Sequence, residues 1–290
     1  MRLIIVSGLS GSGKSVALAM LEDLDYYCVD NIPAGLLPGF IAYTVRTSEI
    51  VFRNTAVGVD ARNRPEDLAD VPRLVAELRR SGIGCEVLFL RADAEKLLER
   101  FSETRRRHPL SRSGLGLKEA LEQEERLLVP VANAADLTID TSRLSVHELR
   151  ELIRERVVER KSGGPSLLFQ SFAYRHGVPD DADFVFDARA LPNPYWEPSL
   201  RELTGRDEAV ARFMAGHEEA ARFLADVTGF LEHWLPSLVR SNRSYLTVAV
   251  GCTGGQHRSV YLAERLAAHF DGRHGRALIR HRDLASRRHE

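Results

Sequence analysis

Five short runs punctuate the first 140 positions, at residues 3–7, 26–29, 55–59, 86–90 and 137–139, and each reads as a strand, the first being apolar, β-branched and buried. Between and after them apolar residues recur at helical spacing, over 15–24, 66–80, 94–104 and 146–159. Strands separated by helices make βαβ units, hence a parallel sheet covered on both faces. The pattern then breaks at a charged, glycine-rich stretch closed by Pro165. Beyond it, residues 167–172, 184–187, 245–250 and 277–280 read as strands, and 208–235 and 259–270 as helices. The expectation is a protein of two α/β domains, residues 1–160 and 166–290, joined by a linker at 161–165, the second domain being the smaller.

The balance of 44% hydrophobic and 28% charged residues excludes a disordered, collagen-like or membrane-spanning chain. The opening apolar run is too short for a signal peptide and leads into a glycine loop. Cys28, Cys85 and Cys252 are too widely spaced for a disulfide framework or a CxxC metal site, so a reduced, cytoplasmic protein without a membrane partner is expected. The net charge of −1 says little, but its distribution says more. Residues 180–232 hold 12 acidic side chains against 5 arginines, a local net of −7. Residues 258–290 hold 8 arginines against 4 acidic side chains, a local net of +4. Two readings of that basic end stay open: a polyanion-binding surface including Arg280, Arg282, Arg287 and Arg288, or a solvated tail. Arginine contacts phosphate and stacks on bases, which suits RNA, yet no RRM, KH or zinc-knuckle motif is present.

Between the first strand and the first helix lie Gly8, Leu9, Ser10, Gly11, Ser12, Gly13, Lys14 and Ser15, matching G-x-x-x-x-G-K-[ST] in full. Glycines let the backbone turn so tightly that successive N–H groups face phosphate oxygens, and the helix N-terminus adds partial positive charge. Lys14 then serves the β- and γ-phosphates, and the Ser15 hydroxyl serves Mg²⁺. A second metal carboxylate is expected at the end of a neighbouring strand. Asp60 is favoured for nucleotide or metal contact, whereas Asp30 would orient a water or a substrate. For both, a plain turn-capping role stays open. Arg105, Arg106 and Arg107 follow the fourth strand and its helix, where they form either a phosphate-clamping lid or a solvated helix end.

A second strand–glycine loop–helix unit carries Cys252, Thr253, Gly254, Gly255, Gln256, His257, Arg258 and Ser259. Its Cys-x5-Arg-Ser spacing admits a cysteine phosphatase, with a thiolate nucleophile and an arginine on the phosphate oxygens. Gly251 precedes the cysteine and no aspartate is evident as general acid, so phosphate binding without chemistry is the favoured reading. The stretch from Asn193 to Trp196 is a stiff aromatic loop after a strand end, which serves either as a site element or as a packing anchor.

Taken together, Val6-Ser-Gly-Leu-Ser-Gly-Ser-Gly-Lys-Ser-Val, Tyr27-Cys-Val-Asp-Asn-Ile-Pro, Ser102-Glu-Thr-Arg-Arg-Arg-His-Pro-Leu-Ser, Asp183-Phe-Val-Phe-Asp-Ala-Arg and Val250-Gly-Cys-Thr-Gly-Gly-Gln-His-Arg-Ser-Val resemble the RapZ/YvcJ family along essentially the whole chain. The resemblance implies a P-loop kinase-like N-terminal domain that binds ATP and GTP with Mg²⁺ and hydrolyses them slowly, Lys14 and Asp60 being the catalytic residues. It implies a second nucleotide segment at Asp60, Ala61, Arg62 and Asn63, where the family usually has Val in place of Ala61. It further implies an RNase adapter that presents a small regulatory RNA to an endoribonuclease and senses glucosamine-6-phosphate at Cys252–Ser259, in a protein that self-associates. Two stretches depart from the adapter members: Tyr195 stands where they have His, and the chain ends in arginines where they have lysines. A P-loop small-molecule kinase acting on a phosphorylated sugar, or a nucleotide-switched regulator without RNA, are the alternatives.

Overall fold

The computed structural model describes residues 1–47, 50–104, 107–113, 115–158, 165–241, 243–273 and 277–284. The chain divides into two compact units, Met1–Glu159 and Arg160–Glu290. The expected linker lies outside the described residues except for Pro165.

In the first unit β1 (Arg2–Gly8), β2 (Tyr27–Val29), β3 (Asn54–Gly58), β4 (Gly84–Arg91) and β5 (Leu137–Asp140) form one sheet. Their order is β2-β3-β1-β4-β5 and every pair is parallel. Leu3, Ile4, Ile5 and Val6 of the central strand are all buried, the unbroken apolar run that a sheet covered on both faces requires. The helices are α1 (Lys14–Glu22), α2 (Leu37–Thr47), α3 (Pro65–Arg80), α4 (Ala94–Thr104), α5 (Leu117–Asn133) and α6 (Val146–Ile153). α3 and α5 close the core, setting Leu68, Val71, Leu128 and Val131 against Leu3, Ile5, Val87 and Phe89. The single helix expected over 146–159 is α6 followed by a π-helical turn, Arg154–Val158.

α2 and α5 go beyond the sequence expectations. α2 opens with Pro38 and Gly39, residues that read as a turn, yet it holds because Leu37, Ile41 and Thr44 recur on one buried face. α5 buries Ala120, Leu121, Glu124, Leu128 and Val131, a spacing of three and four that was legible in the apolar pattern, although Pro130 sits inside it.

In the second unit β6 (Ser166–Ala173), β7 (Phe184–Asp187), β8 (Tyr245–Cys252) and β9 (Ala277–His281) form a parallel sheet in the order β7-β8-β6-β9. β6 and β8 are buried along their whole length. The helix expected over 208–235 is two helices, α7 (Glu208–Ala215) and α8 (Glu218–Arg240), separated at Gly216 and His217. α9 (Arg258–Phe270) packs on the sheet, with Phe270 stacked on Phe169 at 5.5 Å between ring centroids. Among the described residues no helix is long and apolar enough to cross a membrane.

β9 is fastened by a polar chain. The Ser171 hydroxyl lies 2.8 Å from His281 Nδ1, and His281 Nε2 donates to Glu264 Oε1 at 3.0 Å. Burial, aided by the nearby Arg206 cation, holds His281 below its ordinary value although its bond to Glu264 opposes this.

Two outcomes are expected. Phe169→Ala removes a fully buried ring and should lower the unfolding free energy in urea by about 3–5 kcal/mol; a loss under about 1 kcal/mol would contradict its core position. Because His281 takes up a proton less readily folded than unfolded, stability should fall as the pH drops through about 6.5. Urea midpoints at pH 7.5 and 5.5 should therefore differ less in His281→Asn than in the parent, and an equal difference would contradict the assignment.

Candidate functional site

β1 is the middle strand, so the loop leaving its carboxyl end emerges at the centre of the sheet edge, where parallel sheets place ligands. Two glycines make the loop possible. Gly8 has φ 141° and a Cβ there would overlap the Leu90 carbonyl oxygen; Gly13 has φ 103° and a Cβ there would lie 2.8 Å from Leu149 Cδ2. α1 begins at Lys14, so its first N–H groups, which have no intrahelical partner, face the same space. That space is a cleft of about 700 Å³. Of the expected loop residues, Ser10, Gly11, Ser12, Gly13, Lys14 and Ser15 line it, while Gly8 and Leu9 lie behind.

The loop is held by groups from distant segments, Glu124 from behind it and Arg100 and Thr141 from the wall of the cleft itself. Ser10 donates through both its N–H and its hydroxyl to Glu124 of α5, at 2.8 and 2.7 Å. Arg100 of α4 donates to the Gly11 carbonyl at 2.9 Å, and the Thr141 hydroxyl donates to the Ser12 carbonyl at 2.9 Å. Arg100 also holds Thr141 itself, at its hydroxyl (3.0 Å) and carbonyl (2.6 Å). Burial pushes Arg100 below its ordinary value. Lys14 Nζ donates to the Gly8 and Leu9 carbonyls at 2.6 and 3.0 Å. Burial lowers the Lys14 pKa, and the carboxylates of Glu124, Asp60 and Asp30 oppose that effect.

β3 pairs directly with β1, which is why Asp60, two residues past its end, reaches the cleft. Its carboxylate is gripped by Arg62, from Nε at 2.8 Å and Nη2 at 2.6 Å, and Arg62 Nη2 also donates to Asn31 Oδ1. Hydrogen bonding to Asp60 holds Arg62 above its ordinary value. The other members of the expected second segment do different work. Ala61 is buried in the hydrophobic core rather than in the cleft. Asn63 staples a neighbouring loop, accepting from the Ala34 N–H at 2.6 Å and donating to the Asp60 carbonyl at 3.0 Å. No group of three or more His, Cys, Asp or Glu able to hold a metal occurs among the described residues. Ser15 and Asp60 suit Mg²⁺ nonetheless, since Mg²⁺ commonly takes one or two protein oxygens and completes its shell with phosphate and water.

Arg107 is exposed and lines the cleft; Arg105 and Arg106 lie outside the described residues. His108, next along, is buried against Glu124 at 3.0 Å. Sequence reasoning missed Arg100, His108, Glu124 and Thr141 as loop anchors. Arg100 and Glu124 sit at ordinary helix positions and Thr141 just past a strand, so only a charged residue at an apolar helix position, Glu124 in α5, offered a signal.

In the second unit, Cys252–Ser259 joins β8 to α9. Thr253 is exposed and Gly254 half-buried, while Cys252, Gly255, His257, Arg258 and Ser259 are buried. Cys252 Sγ lies 3.1 Å from Ser259 Oγ. His257 Nε2 donates to the Leu200 carbonyl at 3.0 Å. Arg258 Nη1 donates to the carbonyls of Arg189 and Leu191 at 2.7 and 3.0 Å, and Nη2 reaches Thr253 Oγ1 at 3.4 Å. The arginine that either phosphate reading would aim at the ligand thus has Nη1 committed to backbone, with Nη2 beside Thr253. Around the loop stand Asp187, held below its ordinary value by hydrogen bonds from Arg189, and Tyr174, whose ring lies 3.8 Å from the Arg189 guanidinium. Trp196 is 73% exposed, so the Asn193–Trp196 stretch is not packed down by that ring.

The basic end needs one correction. Arg282, expected on a polyanion-binding surface, is buried, with Nη2 donating to the Gly177 carbonyl at 2.5 Å and Nε to Asp283 at 3.2 Å. Its guanidinium is spent on backbone oxygens and on the Asp283 carboxylate. Arg280 donates to Gln170 Oε1 at 3.2 Å, and Arg287 and Arg288 lie outside the described residues.

Comparison with known proteins covers both units. The description "RapZ-like N-terminal domain" matches residues 1–161 and "RapZ C-terminal domain" matches residues 165–285. A protein of Nitrosococcus oceani named nucleotide-binding protein is 54% identical over 285 residues, spanning 98% of this chain and 100% of its own. One of Alkalilimnicola ehrlichii, with the same name, is 54% identical over 283 residues, 98% of each chain. One of Methylococcus capsulatus, again a nucleotide-binding protein, is 51% identical over 284 residues, 98% of this chain and 96% of its own. With both units matched and half the residues shared along nearly its entire length, the chain belongs to the RapZ family.

Proposed function

We propose that this chain binds ATP and GTP with Mg²⁺ in the cleft of its first unit, hydrolyses them slowly and acts as a regulator. The observation that carries the reading is the phosphate loop itself: it is bonded to Glu124, Arg100 and Thr141, and with Lys14 and the start of α1 it borders an open cleft. Such a loop needs little reorganisation to receive phosphate oxygens. The naming of its relatives as nucleotide-binding proteins agrees. Lys14 would exchange its two carbonyl bonds for phosphate oxygens, and Arg107 would contact them from the cleft wall. Ser15 and Asp60 would hold Mg²⁺, which neutralises charge on the phosphate oxygens.

For the second unit we propose glucosamine-6-phosphate as the ligand of the Cys252–Ser259 loop, and a small regulatory RNA, presented to an endoribonuclease, as the partner. Support for the ligand is a strand–glycine loop–helix unit with Thr253 exposed just past the end of β8, its hydroxyl 3.4 Å from Arg258 Nη2 at the start of α9. Support for the RNA is the basic end of the chain and the family resemblance. Self-association and a cytoplasmic location belong to the same reading.

In calorimetric titration, Lys14→Ala should weaken ATP·Mg and GTP·Mg binding by about tenfold or more, the loss of a charge-assisted phosphate contact. Unchanged affinity in a folded variant would contradict the site. Glucosamine-6-phosphate should bind the parent protein and not Arg258→Ala, with circular dichroism confirming that the variant is folded; no binding to the parent would overturn the ligand. RNA affinity should fall steeply with salt, and no RNA binding at low salt would overturn the partner.

A further inference from the structure

Behind the cleft wall two ionisable side chains are wholly buried, His108 and Glu124, and neither belongs to a nucleotide motif. Glu124 comes from α5, and His108 from the segment after α4 that ends at the cleft with Arg107 and Pro109. Three donors converge on the Glu124 carboxylate: the Ser10 N–H at 2.8 Å, the Ser10 hydroxyl at 2.7 Å and His108 Nε2 at 3.0 Å. The Leu110 N–H donates to His108 Nδ1 at 3.2 Å, which assigns the ring proton to Nε2 and so directs it at Glu124. Phe101 closes the arrangement. Its ring centroid lies 5.4 Å from that of His108, and it stands against Gly11, where an added Cβ would lie 3.5 Å from the ring.

A carboxylate without access to water is costly unless donors and a nearby cation compensate it. Here the donors come from the phosphate loop, and the cation is Lys14, on which Glu124 acts more strongly than Asp60 or Asp30 do. A buried pair serving stability alone has no need to bond the loop through both the N–H and the hydroxyl of one residue. Those two bonds fix the first turn after Leu9, from which the backbone of residues 11–13 takes its direction.

We propose that Glu124 is a positioning residue for the phosphate loop, kept in aim by His108, and that the pair sets residues 10–13 for a nucleoside di- or triphosphate before it arrives. Because Arg107 directly precedes His108, the pair also links the segment that carries Arg107 to the loop. This inference rests on the nucleotide reading above. It concerns the β- and γ-phosphates in particular, because those are the groups that a P-loop backbone cradles. AMP, which lacks them, should be indifferent to the pair.

The test is calorimetric titration of the full chain with ATP, ADP and AMP in Mg²⁺, together with urea unfolding. Glu124→Gln keeps the shape but replaces one acceptor oxygen with a donor. It should weaken ATP and ADP by about tenfold or more while AMP changes by less than about twofold. His108→Leu should do the same, and His108→Gln, which keeps an N–H donor in reach of Glu124, should restore ATP affinity to within about threefold of the parent. Where Glu124→Gln does not fold, the two His108 variants carry the same comparison. Equal weakening of ATP and AMP, or unchanged ATP affinity in folded variants, would overturn the positioning role. A parent protein that does not prefer ATP to AMP would overturn the nucleotide reading and this inference with it. A parent that prefers ATP, with variants that match it, would overturn the inference alone.

Discussion

A loop with φ 141° at Gly8, 87° at Gly11 and 103° at Gly13 occupies backbone space that a free chain seldom holds in one arrangement, so it must be kept there by bonds made from outside. In this protein those bonds come from three separate places. Glu124 takes both donors of Ser10, Arg100 takes the carbonyl of Gly11, and Thr141 takes that of Ser12. Glu124 is wholly buried, Thr141 is buried and Arg100 is half-buried, and each bonds a group of the loop backbone. With these groups of the loop committed, the rest of it is left to the cleft. Most of the first unit can be understood as the scaffold for that arrangement. β1 is central so that the loop emerges mid-sheet; β3 lies beside it to deliver Asp60; β5 ends where Thr141 can reach Ser12; and α4 and α5 pack close enough to grip residues 10 and 11.

What was legible in the sequence follows from this division of labour. Strands with continuous apolar runs and a complete glycine-lysine-serine motif are local signals, and they located both sheets, the loop and Asp60. The anchors are not local. Ser10 and Glu124 are 114 residues apart, and Arg100 and Gly11 are 89 apart, and such pairs become visible only when the helices are placed. α5 was the costly omission, because its apolar face was readable and the one carboxylate on that face, Glu124, is the residue that holds the loop. The Asp60–Asn63 stretch shows the complementary limit. Four consecutive positions were grouped as one contact segment, but a turn sends successive side chains in different directions: Asp60 and Arg62 to the cleft, Ala61 to the core and Asn63 to a neighbouring backbone.

The second unit uses a related plan with a different balance. Its glycine loop also joins a central buried strand to a helix, yet its polar residues mostly bond carbonyls: Arg258 those of Arg189 and Leu191, His257 that of Leu200, Gln256 those of Arg201 and Leu203. These bonds knit the loops at the carboxyl end of the sheet together, leaving Thr253 and the half-buried Gly254 as the open part of the loop. Arginine count overstated the binding surface at the end of the chain for the same reason. A guanidinium has five donors and suits backbone carbonyls as well as phosphates, and Arg282 is spent on carbonyls and Asp283.

The phosphate loop is held in its binding shape by Glu124, Arg100 and Thr141 before any ligand arrives. A crystal structure of the full chain with a non-hydrolysable ATP analogue and Mg²⁺ tests it most directly. Phosphate oxygens should lie against the backbone of residues 11–15, with the Ser10–Glu124, Gly11–Arg100 and Ser12–Thr141 bonds all kept and the loop backbone moved by no more than about 1 Å. Phosphates bound elsewhere, or a loop that sheds these bonds to receive them, would contradict it.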